Sequence, residues 1–96
     1  MTQFEAALRL HREGRLDEAA EAYNSILVVD PSNFDAAYHF SVLRAGQGRF
    51  DEALALVEFA GGARPGSWQA QAHKGALLLV LRRFEEGLDE LRQAFA

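Results

Sequence analysis

Cysteine is absent from this 96-residue chain, which excludes disulfides, thiolate nucleophiles and Cys-ligated zinc. That absence does not choose a redox compartment, because a cysteine-free protein suits either side of a membrane. Long apolar runs are missing too. The longest, Ala76 to Leu81, has six residues, against about 20 for a membrane span. No basic cluster with an apolar stretch follows Met1, so no signal peptide is read there. The chain is therefore expected to be soluble and cytoplasmic, away from membranes. There is no excess of positive charge: 10 Lys and Arg stand against 14 Asp and Glu, a net charge of −4. Such a chain has no global attraction to nucleic acid or anionic lipid. G-x-x-x-x-G-K-[ST], H-E-x-x-H and G-x-S-x-G are all missing, so no enzyme and no cofactor is expected. What is present is an ordinary globular balance, 49% apolar and 25% charged. At this length it suits one small domain or a short run of repeats.

The chain repeats itself. Arg15-Leu16-Asp17-Glu18-Ala19 returns as Arg49-Phe50-Asp51-Glu52-Ala53 and again as Arg83-Phe84-Glu85-Glu86-Gly87, each 34 residues on. Pro31 and Pro65 keep the same step, as do Gly14 and Gly48. Ala7, Ser41 and Gly75 are all small, and so are Ala19, Ala53 and Gly87. Tyr23, Val57 and Leu91 are all apolar or aromatic.

Each unit reads as two helices. Phe4, Ala7, Leu8 and Leu10 form one apolar stripe over about residues 3–13. Thr2 with Glu5 is a capping-box signal, and Gly14 a stop. Leu16, Ala19, Ala20, Tyr23, Ile26 and Leu27 mark a second helix, with Asp17 and Glu18 at the positive end of its dipole. Pro31 ends it, and Ser32 or Asn33 caps the next helix. Further helices are predicted near 34–46, 50–60, 68–81 and 84–95, with Ser67 as a cap and Gly61-Gly62 ending the fourth a turn early. Small residues at the crossings let paired helices approach closely.

A helix–turn–helix unit of this period resembles the tetratricopeptide repeat. The resemblance rests on the small residues, on Tyr23, on Pro31 and Pro65, and on the constant spacing. It covers the whole chain as a single domain, 1–96, in repeats 1–33, 34–67 and 68–96. It implies an all-α, right-handed α-solenoid of three units and six antiparallel helices, with no dedicated C-terminal capping helix. Gln3, where the family has a bulky residue, and Arg82, at the turn glycine, depart from the pattern.

Few residues suggest chemistry. The acid pairs Asp17/Glu18, Asp51/Glu52 and Glu85/Glu86 recur at one helix position, which marks them as solvated first turns rather than catalytic dyads. His39 and His73 are 34 apart and are expected to be neighbours across the stack. With His11 they lack the carboxylate or cysteine that a metal centre needs, so no metal is expected. Trp68 is expected to pack on the turn around Pro65. The arginines form no stripe interleaved with aromatics, so no nucleic-acid partner is expected.

By the resemblance, first helices line a concave groove. Superposed on the repeat, that groove is formed by Phe4, Leu8, His11 and Arg12, then Asp35, Tyr38, His39 and Val42, then Gln69, Ala72, His73, Ala76 and Leu79. Such a lining suits an extended or helical peptide held by apolar anchors and a few hydrogen bonds. One subclass of the family grips the C-terminal carboxylate of chaperone tails with lysine, asparagine and arginine. The matching places here, Phe4, Leu8, His39, Gln69 and His73, hold none of these, which disfavours that ligand. Leu78, Leu81, Leu88, Leu91 and Phe95 fall where a following helix would pack. They are expected to form a self-association face giving a homodimer, or to pack on a longer protein, or to lie partly exposed. The leading expectation is a non-catalytic scaffold for protein–protein interaction. The alternative is a regulatory or substrate-docking segment of a larger enzyme such as a glycosyltransferase.

Overall fold

The computed structural model describes Met1–Ala96. The chain forms α1 (Gln3–Arg12), α2 (Leu16–Val29), α3 (Phe34–Gly46), α4 (Phe50–Ala63), α5 (Trp68–Val80) and α6 (Phe84–Ala94), with no strand. Two kinds of helix start alternate. α1, α3 and α5 begin at side-chain caps. Thr2, Asn33 and Ser67 accept from the backbone N–H of Glu5, Ala36 and Ala70 at 3.1, 3.0 and 3.2 Å. Glu5 completes a capping box with Thr2. Ser32 does not cap; its hydroxyl donates to Asp30 at 3.0 Å.

α2, α4 and α6 begin at Arg15, Arg49 and Arg83, which give no side-chain cap. Each guanidinium instead reaches the glutamate three residues on, Glu18, Glu52 or Glu86, at 2.7 Å. These pairs stand in water and contribute little to stability. The acid pairs are therefore split: one carboxylate of each binds arginine, and Asp17, Asp51 and Glu85 have no ion pair.

α4 does not end at Gly61-Gly62 but runs on to Ala63. Ala60 is fully buried, and its carbonyl accepts from the Arg64 N–H at 3.0 Å. A helical glycine costs only about 1 kcal/mol, and packing of Val57 and Ala60 outweighs it.

Helices pair within units, α1 with α2, α3 with α4 and α5 with α6, and units join through α2 with α3 and α4 with α5. The small residues Ala7, Ala19, Ser41, Ala53, Gly75 and Gly87 are all buried. In the third unit the crossing leaves no room for more, since a Cβ on Gly87 would stand 2.9 Å from the Gly75 carbonyl oxygen. Two apolar clusters hold the stack. One gathers Tyr23, Ile26, Phe40 and Leu43; the other gathers Leu54, Val57, Ala70, Leu77 and Leu78. Each spans a boundary between units, so burial there joins the repeats rather than filling separate cores.

One expectation is corrected, and Trp68 makes a contact that the sequence did not suggest. Leu78 is not on an outer face: it is buried against α4 in the second cluster, and Leu81 packs beside it. Its register on α5 is that of Arg44 on α3, the side that looks back to the preceding unit. The Trp68 ring meets Phe95 at 6.0 Å and is half exposed. It occupies the register of Phe34, whose ring stacks on Tyr38 and is covered by the Arg64 guanidinium at 4.2 Å.

Candidate functional site

The first helices bring aromatic and imidazole rings into one row. Phe4 of α1 meets His39 of α3 at 5.1 Å, edge to face. His39 meets Tyr38 at 5.4 Å, and Tyr38 meets His73 of α5 at 5.6 Å. The row thus crosses all three units. Helical spacing explains it, since Phe4 and Tyr38 share a register and His39 and His73 share the next. His39 and His73 both meet the Tyr38 ring, which also stacks on Phe34 at 5.7 Å.

Beneath the row the polar groups are paired. His11 Nδ1 lies 3.0 Å from the Tyr23 hydroxyl. Burial pushes the Tyr23 phenol up to about 12, against the opposite pull of Arg12, so it stays a donor. Burial, helped by His39, holds the His11 imidazole below its ordinary range. The Ser41 hydroxyl donates to the Ala53 carbonyl at 2.6 Å, which commits its one proton. His73 Nε2, 3.0 Å away, must then donate to Ser41 Oγ. Burial lowers the His73 pKa, in keeping with a neutral ring. This hydroxyl and imidazole are the sequence's nearest approach to a nucleophile and base. The hydroxyl is fully buried and points at a helix carbonyl, so it joins α3, α4 and α5 instead.

The other expected groove residues divide. Arg12, Asp35, Val42, Gln69 and Ala76 are exposed, and Leu8 and Ala72 are half-buried. Leu79 is corrected: it packs into the α5–α6 crossing, its Cδ2 within 2.9 Å of where a Cβ on Gly87 would lie. The face is an open wall, and the three clefts of the molecule lie elsewhere. One of about 310 Å³ runs along Glu58, Arg64, Lys74 and Glu90. Lys74 there bridges Glu58 at 3.7 Å and Glu90 at 3.3 Å. One of about 560 Å³ lies between Asp17, Glu21, Arg44 and Arg49. A third, of about 460 Å³, is formed by Pro31, Phe59 and Ala63. No three His, Asp or Glu side chains converge to hold a metal ion, and no helix is long and apolar enough to cross a membrane.

Sequence reading missed the Ser41–His73 link and the Lys74 bridge. Both join helices of successive units at offsets other than the repeat step, so superposing units does not show them.

The outer side of the last unit is apolar. Phe84, Leu88 and Phe95 are 55%, 45% and 68% exposed, and Leu91 is half-buried beside them.

The tetratricopeptide repeat family model matches residues 10–58, about half of the chain. The chain belongs to the tetratricopeptide repeat family. Solved structures share the fold along nearly its whole length. The second tetratricopeptide repeat domain of Spaghetti (RPAP3), solved with the HSP90 peptide SRMEEVD, has a TM-score of 0.92 at 16% identity; 97% of this chain and 86% of that one are covered. The type III secretion translocator chaperone SycD of Yersinia enterocolitica, in an alternative dimer, gives 0.90 at 17% identity, covering 96% and 70%. MamA of AMB-1 gives 0.86 at 25% identity, covering 92% of this chain and 48% of that one. No curated protein matches the chain.

Proposed function

We propose that this chain is a non-catalytic protein-interaction module whose first-helix face holds an extended or helical peptide. The observation that carries this reading is the ring row Phe4–His39–Tyr38–His73, which crosses every unit on one face. Rings offer large apolar contact with little side-chain entropy to lose. Arg12, Asp35 and Gln69, exposed on the same helices, supply hydrogen bonds and register. Lysine and asparagine are absent from the face, so an anionic chain end is a poor ligand and an apolar or aromatic segment a good one. The apolar side of the last unit serves self-association. The similarity to a peptide-bound Spaghetti domain supports the first part, and that to a dimeric SycD the second.

A second reading, a docking segment of a larger enzyme, draws support from the Thermobaculum terrenum O-GlcNAc transferase. It carries this fold at a TM-score of 0.87 and 23% identity, with 96% of this chain and 18% of that one covered.

Binding to a peptide array tests the groove. Tyr38→Ala is expected to remove most binding while leaving helicity intact, and Phe4→Ala to weaken it. Parent-like binding by both variants overturns the assignment.

A further inference from the structure

The outer side of the third unit carries the register of a seam already closed once in the molecule. At the boundary between the second and third units, Phe50, Leu54 and Val57 belong to the cluster joining α4 to α5. One repeat step on, the same register holds Phe84, Leu88 and Leu91 on α6. Polar members of the register also look across the boundary. Glu58 reaches Lys74 of the next unit at 3.7 Å, and Asp51 lies two turns before Glu58 on the same flank. Their counterparts on α6 are Arg92 and Glu85. α6 therefore presents Phe84 and Leu88, the half-buried Leu91, whose Cγ also packs towards Gly75, and Phe95 just past its end, spaced four, three and four, with Glu85 and Arg92 along one flank. That is the spacing of a two-helix seam.

The other end of the stack does not complement this face. Where α3 and α5 bury Ala36, Leu43, Ala70 and Leu77, α1 shows Thr2 and Arg9. Head-to-tail addition would bury those polar groups against leucine. A second α6 is different. Aligned antiparallel about a twofold axis, Phe84 meets Phe95 of the second copy and Leu88 meets Leu91. The same alignment sets Glu85 beside Arg92 of the second copy, twice by symmetry. Both groups are available: Glu85 has no ion pair, and Arg92 holds only the exposed Asp89 at 3.4 Å.

We propose that two copies of this chain associate through α6 as an antiparallel twofold pair closed by two Glu85–Arg92 ion pairs. This rests on the self-association part of the function proposed above and specifies its partner and register.

Sedimentation equilibrium over about a hundredfold range of concentration tests it. The parent is expected to pass from monomer to dimer. Glu85→Arg and Arg92→Glu, each alone, place like charges together and weaken the dimer about tenfold or more. An equimolar mixture of the two is expected to dimerise like the parent, because their charges complement each other. Leu88→Ser is expected to abolish the dimer while circular dichroism stays helical. A parent that is monomeric throughout overturns the proposal. So does a dimer indifferent to both charge changes, or a mixture no tighter than its components. Peptide binding by the Leu88→Ser monomer separates the two readings, since it survives if only the dimer fails.

Discussion

His73 of α5 donates its Nε2–H to the hydroxyl of Ser41 on α3, across 3.0 Å and a unit boundary. Ser41 passes the chain on to the Ala53 carbonyl of α4 at 2.6 Å. The first unit has Ala7 in this register and the third has Gly75, so the link occurs once. Ser41→Ala keeps the small side chain that the crossing requires but strands the His73 donor. It is expected to cost roughly 1–2 kcal/mol, read by urea denaturation.

The same ring makes stability depend on pH. Burial lowers the pKa of His73, and burial with His39 nearby lowers that of His11, both from 6.5. The unfolded chain therefore binds protons more readily than the folded one. Stability is fully present above the unfolded value and falls as pH drops from about 6.5 towards the folded values. Thermal unfolding across this range is expected to show a declining Tm. His73→Gln, which still offers a donor to Ser41 without titrating, is expected to flatten the decline. An unchanged slope in that variant assigns the effect away from His73.

Glycines in this chain respond to alanine with opposite signs. Gly61 and Gly62 lie in the last turn of α4, and a Cβ on either meets nothing within 4 Å. Gly62→Ala is expected to stabilise by about 1 kcal/mol through helix propensity alone. At Gly75 a Cβ would stand 2.8 Å from Leu91 Cγ and 3.0 Å from the Gly87 carbonyl. Gly75→Ala is expected to destabilise by roughly 1–3 kcal/mol, because α5 and α6 must separate. Paired denaturation curves decide both.

The repeat, the six helices and the caps Thr2 and Ser67 were legible because each depends on spacing or on one side chain near its own backbone. The end of α4 was not, since glycine's weak helix propensity is overruled by the buried Ala60. Nor was the inward course of Leu78 and Leu79, because both sides of α5 are apolar in sequence and only packing says which leucine meets α4 or α6. The members of the ring row were each read from the sequence as groove residues. Their contact order was not, because a 34-residue step gives register and not which ring stands between two others.

Arg82 carries the one positive φ outside glycine, at 64°. It stands at the register of Gly14 and Gly48, whose φ values are 78° and 76°. The turn between the paired helices needs this left-handed residue in every unit. The Arg83 N–H after it reaches back to the Leu78 carbonyl at 2.8 Å, as Arg49 does to Arg44 at 2.9 Å. An arginine there crowds its Cβ against its own backbone, at a cost of about 1–2 kcal/mol, while glycine adds unfolded-state entropy worth about 0.4–1 kcal/mol. The first term is larger. Arg82→Gly is therefore expected to stabilise the chain by somewhat under about 1 kcal/mol. Gly48→Ala is expected to destabilise it by a similar amount, although space for a Cβ is open. If Arg82→Gly instead lowers the denaturation midpoint, the arginine side chain contributes contacts that outweigh its backbone strain.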